Sequence, residues 1–141
     1  MPQPSPPPGS LPPTRQARAK CWAARDAYFQ CLDSHSLWLQ GLKPSSYSEV
    51  VSIDPTKPNI IAENDKTVGK EQRRELYACR KEKDGFDRDC LASWVSHFSM
   101  LRVKDLQTNF VKKKVEDGEK ERQVSDTAFW DKVSAKPNTS A

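Results

Sequence analysis

Long apolar runs are absent from this chain, and no stretch approaches the roughly twenty residues that a membrane-spanning helix needs. Glycine is scarce, five in 141 residues, and none sits in a P-loop or a dinucleotide-binding G-x-G-x-x-G, which excludes those nucleotide cradles. There is no C-x-x-C and no C-x-x-C-H, so thioredoxin-like redox motifs and c-type haem attachment are excluded as well. No carboxylates, and no nucleophile with a base, are spaced for hydrolysis, so any enzymatic role would have to use sulfur. Charge of one sign is also lacking. The net charge is +4, and Lys112, Lys113 and Lys114 run directly into acidic residues. A nucleic-acid surface would want a coherent basic stripe with base-stacking aromatics, so nucleic acid is not an expected partner.

What the chain does have is four cysteines in two widely spaced pairs: Cys21 and Cys31, then Cys79 and Cys90. Counting about 100° per residue, Cys21, Ala24, Tyr28, Cys31, Leu32 and Leu39 form one helical stripe. Leu76, Cys79, Phe86, Cys90, Trp94, His97 and Leu101 form another. On a helix rising about 1.5 Å per residue, the sulfurs of one pair stand roughly 15 Å apart, too far for a disulfide within the pair or for a shared tetrahedral zinc. Two pairings between the helices remain. Antiparallel helices would join Cys21 to Cys90 and Cys31 to Cys79; parallel helices would join Cys21 to Cys79 and Cys31 to Cys90. The antiparallel hairpin is the commoner unit and needs no crossover, so it is the expected arrangement. The fold class is therefore all-α: an antiparallel helical hairpin stapled by two disulfides, with a C-terminal helical extension and disordered termini. Hydrophobic residues make up 35% and charged residues 30% of the chain, a composition in which a small core needs such staples.

Structural disulfides persist in oxidising compartments. Residues 1–20 lack the continuous apolar stretch of a secretory signal, and their prolines forbid the amphipathic helix of a matrix transit peptide. That combination points to the mitochondrial intermembrane space, where import is coupled to oxidation; a reduced cytosolic protein with idle cysteines is the alternative.

The stretch CWAARDAYFQCLD, Cys21 to Asp33, resembles the signature of the cytochrome c oxidase assembly factor 6 family, approximately C-W-x-A-R-D-x-(aromatic)-(aromatic)-x-C-L-D. The segment from Cys79 through Cys90 to Trp94 is similar to that family's C-x₁₀-C followed by a Trp-containing helix. Cysteine spacing alone would indicate only the broader coiled-coil-helix-coiled-coil-helix class, to which cytochrome c oxidase subunit VIb also belongs. The resemblance implies residence in the mitochondrial intermembrane space and support of cytochrome c oxidase biogenesis at the copper A site of subunit II. It implies as partners subunit II, Sco-type copper metallochaperones and the oxidative import machinery of that compartment, and it is compatible with a homodimer. No cofactor is required; copper(I) at reduced Cys21, Cys31, Cys79 and Cys90 is the metal the family suggests. Thiol–disulfide exchange on those partners, or a structural role in the oxidase, are the alternatives. The chain departs from the family at Leu91, where relatives often carry proline, and in its much longer connection between the cysteine helices.

Residues 1–14 form a proline-rich, disordered N-terminus; residues 15–112 form the hairpin domain, with an insert at about 40–66; residues 113–141 form a charged, flexible tail. Helix one is expected from Thr14 to Leu39, capped by Thr14 or Ser10, and helix two from near Thr67 past Cys90. The segment Tyr47–Ile53 reads as loop in preference to a short strand. After Leu101 the apolar stripe changes to Val103, Leu106 and Phe110, which predicts a bend near Ser99–Arg102 or a third helix, and fraying from Lys112. Trp22 and Phe29, about 90° around helix one from the cysteine stripe, and the charges of Arg25 and Asp26 are the candidate partner-binding residues. His35 and His97 are candidates to join cysteine in copper ligation, although packed or surface histidines are commoner. Thr127–Val133 is a candidate docking element weighed against a fortuitous apolar cluster.

Overall fold

The computed structural model describes residues 14–135; the proline-rich segment 1–13 and residues 136–141, where disordered termini were expected, lie outside the described residues. Among the described residues the chain is helical with no strand: α1 Arg15–Ser34, α2 Tyr47–Ser52, α3 Lys70–Leu76, α4 Arg80–Asp89 and α5 Ala92–Ala135. The antiparallel pairing is the one formed. Cys21 bonds to Cys90 and Cys31 to Cys79, with Cα–Cα separations of 4.8 and 5.9 Å. The inner bridge is nested inside the outer one, and α1 packs chiefly along α4.

Thr14 caps α1, its Oγ1 accepting from the Ala17 N–H at 3.1 Å. The expected continuation to Leu39 is corrected. Ser36 turns left-handed, with φ 57°, and the N–H groups of Leu37 and Ser36 return to the carbonyls of Leu32 and Asp33 at 2.8 and 3.1 Å. This paired closure satisfies the last carbonyls of the helix, and buried Leu37 packs beneath it together with buried Leu32. Leu37 and Leu39 thus enter the core from a turn. Gly41 then reverses the chain at φ +80°, pairing Leu39 with Leu42.

The second expected helix is also corrected, because it is divided into three. After α3 the backbone breaks at Tyr77–Cys79, and Cys90 is extended at φ −119°, ψ 149°. Cys79 and Cys90 therefore flank α4 at its two ends as cap residues, whereas Cys21 and Cys31 lie within α1. Thr67 caps nothing; its N–H and hydroxyl both donate to Asp65, and Gly69 holds the N-cap position of α3.

Tyr47–Ile53 is likewise not loop. Ser46 caps α2, its Oγ accepting from the Glu49 N–H at 3.2 Å, and the Glu49 carboxylate accepts from the Ser45 N–H, one residue before the cap, at 3.0 Å. Elsewhere the insert is tied down by local turns and by α3. Asp54 closes a turn on Thr56, the Tyr77 hydroxyl donates to the Ile61 carbonyl, and the Gly41 N–H donates to the Leu76 carbonyl at 3.1 Å.

No break falls at Ser99–Arg102, and α5 continues beyond Lys112 to Ala135. The change of stripe records a change of neighbour. Trp94 and Phe98 face the disulfide core, whereas Gln107, further along, donates to the α2 carbonyl of Val50 and to that of Ile53 at 2.7 and 2.8 Å. Beyond Phe110, Lys, Glu, Gln and Arg dominate, good helix formers that sustain the helix without burial. The core is centred on Tyr28, Leu32 and Phe86, with the Tyr28 and Phe86 ring centroids 5.6 Å apart.

Candidate functional site

The two bridges differ in surroundings. Cys21 is fully buried and Cys90 nearly so, at 8% exposure, so the outer bridge is sealed. Cys79 is also buried, but Cys31 is half-buried, leaving the inner bridge with one sulfur-bearing residue toward solvent. His35 stands one helical turn beyond Cys31, and its ring nitrogen, the Cys31 sulfur and the Cys79 sulfur all lie within 4.8 Å of one another. Sequence spacing offers Cys31-x-x-x-His35 as a shared face, and the expected antiparallel pairing brings Cys79 to Cys31; sequence reasoning missed that the two together make one three-residue group. The other histidine is elsewhere. His97 is half-buried beside Phe98, its Nε2 buried without a hydrogen-bond partner.

A cleft of about 400 Å³ runs between α1 and α5. Arg25, Phe29 and Asp33, spaced by four along α1, face Phe98 and Arg102, also spaced by four, along α5, and Asp26 and Asp105 add negative charge at its margins. Three of the four candidate partner residues therefore meet here. Arg25 pairs with Asp26 at 3.0 Å and lays its guanidinium 4.7 Å from the Phe98 ring centroid. Phe29 is half-buried, edge-on to Phe86 with centroids 5.8 Å apart. Trp22 is not among the cleft residues; it stands 46% exposed on the surface of α1.

Sequence reasoning missed Arg102. Its guanidinium lies 5.0 Å from the Phe29 ring centroid and donates to Asp33 Oδ1 and to the carbonyls of Leu37 and Trp38. The only signal for it is a lone basic residue between Leu101 and Val103. Beneath the cleft, Tyr28 accepts from the Gln40 N–H at 3.2 Å, and burial pushes its hydroxyl up to a pKa of about 12.

An antiparallel helical pair held by two nested disulfides, with no second core among the described residues, defines a small double-disulfide hairpin protein of the coiled-coil-helix-coiled-coil-helix type. Residues 10–113 match the family described as cytochrome oxidase c subunit VIb, and the chain belongs to that family. A curated relative is the cytochrome c oxidase assembly factor 6 of Saccharomyces cerevisiae, 29% identical over 115 residues, which cover 81% of this chain and 86% of the relative. No solved structure matches. No described helix is long and apolar enough to cross a membrane.

Proposed function

We propose that this protein is an assembly factor for mitochondrial cytochrome c oxidase, acting in the intermembrane space. The observation that carries this reading is the likeness to the yeast assembly factor, which extends over most of both chains. Its task is to support maturation of the copper A site of subunit II alongside Sco-type copper metallochaperones, with its reduced cysteines taking copper(I). Soft thiolate ligands suit that ion, whereas closed disulfides do not bind it. The α1–α5 cleft, with Arg25, Asp26 and Phe29 along one wall, is the docking surface for subunit II. Trp22 adds an exposed aromatic on the same helix.

The test is complementation. Expressed in yeast lacking its own assembly factor 6, the chain restores oxidase activity and copper loading of subunit II; failure despite correct import and oxidation overturns the reading. Tagged protein carrying Arg25→Ala and Asp26→Ala is expected to capture less subunit II than wild type while keeping its melting temperature.

A second reading, thiol–disulfide exchange on those partners, is favoured by the half-buried Cys31, the least buried of the four cysteines. An exchanging bridge has a potential near that of its partner, whereas structural bridges typically lie below about −300 mV. Two bridges that both resist reduction at such potentials would exclude exchange. Stoichiometric retention of the chain in purified mature oxidase would instead indicate a structural subunit.

A further inference from the structure

We propose that opening the Cys31–Cys79 bridge creates a three-ligand copper(I) site completed by His35, and that the outer bridge has no such function. The proposal rests on the copper reading above and names the residues that perform it. Three observations support it. The donor atoms of Cys31, His35 and Cys79 already lie within 4.8 Å of one another, and they are the only such group of three found among the described residues. The exposure is graded, with His35 at the surface, Cys31 half-buried and Cys79 buried, so an ion arriving from solvent meets the imidazole first and ends against the hairpin core. The framework does not depend on the bridge that opens. Cys21–Cys90, the packing of α1 on α4 and the tilted ring contact of Tyr28 with Phe86 all hold the hairpin closed.

The geometry suits the ion. Two thiolates each about 2.3 Å from a trigonal metal are about 4 Å apart. Cα atoms 5.9 Å apart place that spacing within the reach of side-chain rotation. Two sulfurs and one imidazole nitrogen make a soft, three-coordinate set, to which copper(I) needs no fourth donor.

The opening step requires a dithiol reductant. One of its thiolates attacks Cys31 Sγ, on the less buried residue of the pair; the S–S bond breaks and Cys79 leaves as thiolate. The second thiol of the reductant then displaces Cys31, so the dithiol becomes a disulfide and the two cysteines gain two electrons and two protons. Copper(I) replaces those protons on the sulfurs, with no change in its own oxidation state.

The test uses the full chain under anaerobic conditions. At limiting dithiol, peptide mapping is expected to show Cys31–Cys79 open with Cys21–Cys90 intact. Copper(I) supplied from a chromogenic chelator should then bind at one equivalent, against none for the oxidised chain. His35→Ala should weaken this at least about tenfold with unchanged helical circular dichroism, and X-ray absorption should report two sulfurs and one nitrogen. Undiminished binding by His35→Ala, or a sulfur-only shell, overturns the role of His35 and leaves the copper reading standing. Opening of the outer bridge first overturns the assignment of the switch. Absence of copper(I) uptake by the reduced wild type overturns both the proposal and the copper reading.

Discussion

Arg102 of α5 donates from Nη2 to Asp33 Oδ1 of α1 at 2.7 Å, joining residues 69 apart in sequence. Its guanidinium also bonds the carbonyls of Leu37 and Trp38, which the closing turn of α1 leaves without helical partners. Only 8% of the Arg102 side chain is exposed, although Asp33 is 65% exposed. Most of the stabilisation therefore comes from the two backbone acceptors, because a carboxylate so open to water contributes little.

Arg102→Ala is accordingly expected to destabilise the fold by about 2–4 kcal/mol, the cost of leaving buried carbonyls unpaired. Arg102→Lys should recover only part of that, since an ammonium cannot reproduce the planar fork. Asp33→Ala should cost less than about 1 kcal/mol. Urea unfolding midpoints of the oxidised proteins measure all three.

The nesting of the bridges makes their contributions interdependent. With Cys31–Cys79 closed, the outer bridge constrains an effective loop of about twenty residues, so replacing Cys21 and Cys90 with serine should cost about 3 kcal/mol in the chain-entropy account. Removing both bridges should cost more than either alone and leave the hairpin unfolded or labile. Thermal melts with and without reductant give the comparison.

Tyr28 imposes an alkaline limit. Burial raises its hydroxyl from an ordinary value near 10 to about 12. Between those values the unfolded chain loses the proton and the folded chain keeps it. Stability present below pH 10 is therefore lost as pH rises, by about 2–3 kcal/mol once the pH passes the folded value. Tyr28→Phe should flatten this part of the stability–pH curve, and phenolate absorbance should show the delayed titration directly.

Gly41→Ala should be strongly destabilising. The residue sits at φ +80°, and a Cβ there would come within 2.8 Å of both Ile60 Cγ2 and the Ile61 carbonyl oxygen. Strained backbone and a clash with main chain together should cost more than about 2 kcal/mol, read as a lowered unfolding midpoint.

Removal of residues 115–141 should leave stability within about 0.5 kcal/mol, because Val115, Val124, Phe129 and Trp130 are all more than half exposed. Loss of complementation by the truncated chain without loss of stability would assign the distal part of α5 to a partner.

The start of α1 at Thr14, the helical class and the apolar faces bearing Cys21, Tyr28, Cys31 and Phe86 were legible because capping and periodicity are local properties. The S-x-x-E cap of α2 at Ser46–Glu49 is equally local, although the segment it opens reads as loop when its partial alternation is the feature considered. The end of α1 was not legible in the same way. Its left-handed position is occupied by Ser36 where glycine would have marked it, and what stabilises the turn is Leu37 returning beneath Leu32. The breaks at Tyr77–Cys79 and Cys90 have no proline to announce them, and Gly85, the poor helix former, lies inside α4.

By itself, the sequence determined that two cysteine pairs must cross-link separate segments, because covalent geometry and helical rise forbid bonds within a pair. It also confined those segments to an all-α class. Only the tertiary structure decided that α1 and α4 run antiparallel, that Cys79 arrives beside Cys31 and His35, and that Arg102 closes the turn after α1. Those relationships depend on which distant residues share one small core, and neither periodicity nor spacing along a single helix contains that information.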